Sequence, residues 1–271
     1  MVRVDRIEPR FVDLKIKGPS SVAFHAQRGT ILVASDEGYI VELDMDLRKI
    51  DRYKVKGDLE GIAVHPTTGQ VYLASEREGA ILELDLDEGD VTRTIVIDFE
   101  SHTRLEDVKG DNKGIEGLAF FPTGDAGYQL FSVLQAGPAR LLQLSENIND
   151  GGKMSKRMRK RVRDRLESSK KRRGTVATVN VDDAIKLKLK SLSDVVFAPS
   201  LDALVVISSA RKVALLYDPS AGNVLGQFKL PGKKPEGVTF LPDGELLVVD
   251  DEGGAWWIEN AERWIEENPR P

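Results

Sequence analysis

Short apolar runs of five to seven residues recur along the whole chain, each broken by polar turn residues. Five segments align: Pro-Ser-Ser-Val-Ala-Phe-His (19–25), Leu-Glu-Gly-Ile-Ala-Val-His-Pro (59–66), Ile-Glu-Gly-Leu-Ala-Phe-Phe-Pro (115–122), Leu-Ser-Asp-Val-Val-Phe-Ala-Pro (192–199) and Pro-Glu-Gly-Val-Thr-Phe-Leu-Pro (235–242). Each is followed by a turn with Gly or Asp and then by a β-branched run that closes on a small or acidic pair. Those runs read ILVASD, VYLASE, LFSVLQ, LVVISS and LLVVDD, and a second apolar run follows each: YIVELD, AILELD, ARLLQL, VALLYD and AWWI. Runs this short, punctuated by turn chemistry, predict antiparallel strands.

A further run that alternates polar and apolar residues precedes each copy: 11–18, 49–57, 91–98, 185–190 and 224–230. Such alternation suits an outer strand with one wet face. Four strands per unit, repeated five times, predict an all-β five-bladed β-propeller with four-stranded antiparallel blades. The steps between copies, measured at 20, 60, 116, 193 and 236, are 40, 56, 77 and 43 residues. The two long steps hold insertions, and 146–184 is expected as a basic, helical insertion within one domain spanning 1–271. Each unit begins with its outer strand, so the last blade lacks one and the N-terminal run, Phe11 to Lys17, is expected to complete it. That closure removes exposed sheet edges.

The repeat also aligns oxygen donors. One register holds Ser20, Glu60, Glu116, Ser193 and Glu236; a second, across each first hairpin, holds Asp36, Glu76, Gln135, Ser209 and Asp251. Both should converge on one mouth of the central channel. Like charges gathered there repel by roughly 4 kcal/mol for a pair 4 Å apart at an effective dielectric of 20. Proton uptake, or a hard cation bound by oxygen, would offset this. Calcium suits a donor set of Glu, Ser and Gln in flexible geometry better than magnesium does. The competing reading is that the acids are turn chemistry, capping amides or solvated.

Charge is unevenly spread. Between Lys153 and Arg173 twelve basic residues stand against two acidic ones, a net of +10 in a chain of net −5, so the rest carries −15. Arg157, Lys160, Arg161, Lys171 and Arg172 in this segment are candidate contacts to a polyanion, either nucleic acid or an anionic lipid surface. No aromatic residue interleaves them, which argues against base stacking. A solvated extension, or docking on the acidic body, are the other readings. The absence of cysteine excludes disulfides, thiolate metal sites and cysteine nucleophiles. No apolar run is long enough to span a bilayer, and no signal-peptide pattern opens the chain.

Glu60-Gly61-Ile62-Ala63, the segment Asn112-Lys113-Gly114-Ile115-Glu116-Gly117, Leu192-Ser193-Asp194 and Pro235-Glu236-Gly237-Val238 resemble, in this order, the SdiA-regulated (YjiK-like) bacterial β-propeller family. The resemblance runs from about Gly18 to Ile258. It implies a five-bladed propeller, distantly similar to NHL repeats, with bound calcium and ligands at Glu60, Glu116, Glu236, Glu76 and Asp251. The fourth unit departs from the pattern with Ser208-Ser209 where an acid is usual. Members of that family are commonly exported or membrane-anchored, so the resemblance implies a periplasmic or membrane-attached protein, the alternative being a cytoplasmic relative.

Other motifs carry less. Asp85 to Asp90 begins like an EF-hand loop, but Gly89 and Val96 replace required ligands, so it reads as a turn. His25 and His65 share one repeat position far from the acids and read as structural. His102 lies in a loop with Glu106, Asp107 and Asp111. No nucleophile elbow, zinc-protease helix, phosphate loop or dinucleotide fingerprint occurs. Trp256, Trp257, Trp264 and Ile265 predict an aromatic strand and a short helix packed over the last blade. The expected protein is a monomeric calcium-binding propeller scaffold or sensor with no assigned catalytic residue. The alternatives are a metal-dependent hydrolase of phosphate esters or lactones, with Glu76 or Asp251 as base, and a polyanion-binding module.

Overall fold

The computed structural model describes residues 9–76, 78–105, 114–124, 127–135, 139–150 and 174–267. Among the described residues the chain is all-β with one short α-helix. Three sheets hold four antiparallel strands each. The first is β2 (Pro19–His25), β3 (Thr30–Ser35), β4 (Tyr39–Leu43) and β5 (Lys49–Lys54). A later one is β14 (Leu192–Ala198), β15 (Ala203–Ser208), β16 (Val213–Asp218) and β17 (Asn223–Lys229). The last is β18 (Pro235–Phe240), β19 (Leu246–Asp250) and β20 (Gly254–Ile258), completed by β1 (Arg10–Asp13), which pairs antiparallel with β20 from Arg10↔Trp257 to Asp13↔Gly254. The N-terminal strand therefore closes the C-terminal sheet, as the order of runs predicts.

Between them lies an eight-stranded sheet. Its halves are the antiparallel runs β6 (Leu59–Val64), β7 (Val71–Ser75), β8 (Ala80–Asp85), β9 (Asp90–Asp98) and β10 (Ile115–Thr123), β11 (Gly127–Leu134), β12 (Arg140–Asp150), β13 (Thr175–Ile185). The outer strands β9 and β13 join in parallel, Thr175↔Arg93 through Asn180↔Asp98, and clasp the two halves together. Arg93 reinforces the join through ion pairs to Glu83 on β8 and Asp150 on β12.

Two expectations are corrected here. The outer strand before the fourth copy is β13, not residues 185–190. In that segment the alternation of Lys and Leu buries Leu187 and Leu189 in the core as the chain descends to β14, so it mimics a strand while lacking a strand partner. The expected insertion 146–184 begins and ends in strand, since β12 runs to Asp150 and β13 starts at Thr175. Residues 151–173, with Arg157, Lys160, Arg161, Lys171 and Arg172, lie outside the described residues.

Hydrophobic clusters fill the spaces between successive sheets. Leu32, Ala34 and Ile40 of the first pack against Ile62, Leu73 and Leu82 of the next, and Val33 and Val41 meet Leu247 and Val249 of the last. Each fully buried Leu or Val contributes roughly 1.5–3 kcal/mol. The sheets thus follow one another in a propeller-like ring with the first strands β2, β6, β10, β14 and β18 innermost. Helix α1 (Ala261–Glu267) buries Ile265 beside Trp256 and Ile258 over the last sheet, as expected. Among the described residues no helix is long and apolar enough to cross a membrane.

Candidate functional site

Each inner strand starts with an irregularity. Register breaks between Pro19 and Ser21, Leu59 and Gly61, Leu192 and Asp194, and Pro235 and Gly237 leave Ser20, Glu60, Ser193 and Glu236 outside the ladder. A similar break spans Glu116 and Gly117. A bulge re-aims the side chain of the extra residue. The second register is held across from it by backbone bonds: the amides of Asp36, Glu76 and Asp251 donate to the carbonyls of Gly18, Asp58 and Lys234 at 3.0–3.1 Å.

The result is a cavity of ≈ 360 Å³ at the inner-strand starts. Ser20, Glu60, Glu116 and Glu236 line it from the first register; Asp36, Glu76, Gln135 and Asp251 line it from the second. Ser193 and Ser209 are buried and do not line it, so the fourth sheet contributes neither of its two register positions.

Two participants come from a position the sequence reading passed over, two residues before each Glu-Gly register. The chain has Gly18, Asp58, Gly114, Ser191 and Lys234 there. Asp58 gathers with Glu60 and Glu76 so that one oxygen of each lies within 4.8 Å of the others. Lys234 lines the cavity with the opposite charge, its Nζ 2.9 Å from Glu236 Oε1 and 2.8 Å from Asp251 Oδ2. Reading that upstream position across the five copies would have found both. Gly114 fits because a side chain there would strike Glu76, whose Oε1 instead accepts the Gly114 amide at 3.2 Å. The Ser20 hydroxyl donates to the Leu59 carbonyl at 2.5 Å, which leaves its lone pairs as acceptors.

Electrostatics divide the mouth. Burial, then repulsion from Asp58, Glu76 and Asp36, pushes the Glu60 carboxyl up to about 9. Burial, then Glu60 and Glu76, pushes Glu116, only 3% exposed, up to about 10. Asp36 is raised by burial and by Asp251. Glu236 is also raised by burial, but Lys234 pulls against it. Burial alone would lower the Lys234 ammonium; its bonds to Asp251 and Glu236 outweigh that and raise it. Seven carboxyl groups thus share the mouth with one ammonium, an arrangement that takes up protons or draws in a cation.

The other candidates separate from this mouth. His65 caps a turn: its Nδ1 accepts the amides of Thr67 and Thr68 at 3.2 and 3.3 Å, and its ring stacks edge-on against Phe120 and Tyr128. Burial lowers the pKa of both His25 and His65. Asp85 accepts the amides of Asp87 and Glu88, as a turn residue does. His102 lies 3.8 Å from Asp183, while Glu106, Asp107 and Asp111 fall outside the described residues. Trp256 packs against Phe11 with ring centres 5.1 Å apart, and Trp257 donates to Glu245 at 2.9 Å. These aromatic residues serve the closure of the last sheet.

No curated protein matches the chain. Among solved structures it is similar to glutaminyl cyclase from Myxococcus xanthus, 12% identical over 92% of this chain and 94% of that one, with a TM-score of 0.55. It is also similar to virginiamycin B lyase from Staphylococcus aureus, 13% identical over 95% and 77% of the two chains, with a TM-score of 0.47. The first likeness is one of fold. A family model described as phytase-like, with the esterase-like activity of phytase, matches residues 15–208, a span that holds Asp36, Asp58, Glu60, Glu76 and Glu116 of the mouth and ends before Lys234, Glu236 and Asp251. The chain belongs to that phytase-like β-propeller family.

Proposed function

We propose that this protein is a five-bladed propeller that binds a divalent cation, calcium, at its acidic mouth and hydrolyses an ester there. Five inner strands, each carrying three partners outward, support the blade count. The segment Asn112 to Gly117 supports the finer likeness to SdiA-regulated propellers within the family. The observation that carries the cation reading is the meeting of Asp58, Glu60 and Glu76 beside buried Glu116, four carboxyl groups with no ammonium among them.

The donor set fits a hard cation. Every side chain lining the mouth offers oxygen except Lys234, and Gln135 and Ser20 add neutral oxygens to the acids. Asp58, Glu60, Glu76 and Glu116 would hold the ion, while Lys234 offsets one of the two charges of Glu236 and Asp251. A bound cation of this kind supplies positive charge that polarises a carbonyl or phosphoryl oxygen. The protein's own part is to strip water from the carboxylates, fix their spacing through the bulges and place an acceptor outside the ion-holding set, Asp251, where a water proton can be taken. Family membership supports the ester as substrate class.

The test is calorimetric titration of calcium into chelator-treated full-length protein, with Glu60→Gln and Glu116→Gln, alongside turnover of a chromogenic carboxylic ester and a phosphate monoester. Micromolar binding, lost in the variants, with turnover that requires calcium, is the expected result. Absence of both heat and thermal stabilisation overturns the cation reading. Binding without turnover of either ester leaves a calcium-binding scaffold.

A further inference from the structure

Directly beyond each mouth residue, the five inner strands carry Ser21, Gly61, Gly117, Asp194 and Gly237 at one repeat position. The glycines show how closely the strands approach. A Cβ on Gly61 would run into the carbonyl oxygen of Glu116, one on Gly117 into the Asp194 carboxyl, and one on Gly237 into the Cα of Ser21. Only two side chains occupy this level, and both are buried, Ser21 at 0% and Asp194 at 1% exposure.

Those two meet across the ring. The Ser21 hydroxyl donates to Asp194 Oδ2 at 3.1 Å, and the same oxygen accepts the Val238 amide at 3.1 Å. Oδ1 accepts the Val195 amide at 2.9 Å, while Ser21 Oγ accepts the Ile62 amide at 3.2 Å. An inner strand has no strand neighbour on its channel side, so alternate amides point there without a ladder partner. Ile62, Val195 and Val238 share one repeat position, and the Asp194–Ser21 pair satisfies all three. Four of the five inner strands, β2, β6, β14 and β18, are thereby tied at the axis.

Burying a carboxyl without a cation is unfavourable, and an apolar side chain would fill the same gap without that penalty. What the carboxyl adds is its two acceptor oxygens. Ser20 and Ser193 immediately precede the tied residues, and Glu60 and Glu236 stand two positions before the bonded amides of Ile62 and Val238. Farther along the same strands, a second cavity of ≈ 240 Å³ is apolar, lined by Val22, Ile62, Leu118, Val195 and Phe240. The tie lies between the two cavities.

We propose that Asp194 and Ser21 form a latch that floors the acidic mouth and sets the spacing of its donors, which makes Asp194 a positioning residue for whatever cation the mouth holds. The mouth is then a blind cup, loaded and emptied from one face. The binding half of this inference rests on the cation reading; the latch itself does not.

Two measurements on the full-length protein and on Asp194→Asn, Asp194→Ala and Ser21→Ala test it. In amide hydrogen exchange, the Val195, Val238 and Ile62 amides are expected to be protected in the wild type, while Asp194→Asn, which keeps one acceptor oxygen, should leave one of Val195 and Val238 exposed. Asp194→Ala should expose Val195 and Val238, and Ser21→Ala should expose Ile62, while ladder amides of β19 stay protected. In calcium titration, Asp194→Ala and Ser21→Ala should bind about tenfold to a hundredfold more weakly, with Asp194→Asn between them and the wild type. Protected amides and unchanged affinity in both truncations would overturn the proposal. A variant that only lost stability, with calcium affinity intact, would overturn the positioning role. Should Asp194→Ala fail to fold, Ser21→Ala and Asp194→Asn decide by the same criteria. If the wild type binds no calcium, the cation reading and the positioning role fail together, and the exchange pattern alone decides the latch.

Discussion

The second and fifth four-stranded units start from the same Glu-Gly pair, in Asp58-Leu59-Glu60-Gly61 and Lys234-Pro235-Glu236-Gly237, and turn it to opposite electrostatic ends. In one, the upstream residue adds a carboxylate to Glu60 and Glu76. In the other, it supplies the ammonium that bridges Glu236 and Asp251 at 2.9 and 2.8 Å. A repeat fold makes the positions equivalent; one residue per repeat decides whether a position needs an external cation. The lesson is that the chemistry of such a mouth resides in departures from the repeat.

The largest test of this contrast is affinity. Glu60→Gln or Glu116→Gln should weaken calcium binding by about a hundredfold or more, because each removes charge from the side without an ammonium. Glu236→Gln should cost about tenfold or less, since Lys234, shared with Asp251, already offsets part of that charge. Calorimetry reads both, and equal losses on the two sides would break the contrast.

Protons should report it next. Burial and the neighbouring carboxylates push Glu60 and Glu116 up to about 9 and about 10 in the folded protein, against an ordinary 4.5. A raised folded value means that the folded state binds protons more tightly, so stability is fully present below about 4.5 and is lost as pH rises toward 9–10. Each group contributes at most about 1.4 kcal/mol per pH unit. The cation-free protein should therefore melt at progressively lower temperature from pH 5 to pH 9, and calcium should flatten the curve. On the other side Lys234 is raised above its ordinary 10.5, so its contribution holds throughout that window and is lost only above it. Glu60→Gln should reduce the slope between pH 5 and 9. A slope unchanged in that variant would mean that its carboxyl titrates normally.

Both registers were readable as repeated oxygen donors, and eight of the ten line the cavity. The order of runs also gave the closing strand β1, because a unit that begins with its outer strand leaves the last sheet short by one. Asp58 and Lys234 stand two positions upstream of the bulges, and only a comparison of that position across all five copies, rather than any local pattern, singles them out. The Asp194–Ser21 contact joins residues 173 apart in sequence and depends on how nearly the inner strands converge, which periodicity does not encode. The misplaced outer strand at 185–190 has the same origin: Lys-Leu alternation reports one buried face, and a descending link buries one as well as a strand does.

Smaller effects should separate the upstream residues directly. Without calcium at pH 7, Lys234→Met should destabilise by about 1 kcal/mol, leaving Glu236 largely buried beside Asp251 with no counter-charge. Asp58→Asn should do the reverse, stabilising by about 0.5–1 kcal/mol as one repulsion is removed. Denaturant melts read both, and matching signs would mean that the two sides share one pool of charge.

The smallest effect belongs to Lys233, the neighbour of Lys234, whose Nζ lies 2.8 Å from Glu252 Oε2 with both side chains well exposed. Its ion pair is shorter than or equal to those of Lys234, and distance alone would rank it as equally important. Solvent screens it, and holding two long side chains in one geometry offsets much of the attraction. Lys233→Met should leave both the denaturant midpoint and the calcium affinity unchanged. An effect as large as that of Lys234→Met would show that the general positive field of this rim, rather than the seat of one ammonium inside the mouth, is what distinguishes the fifth unit from the second.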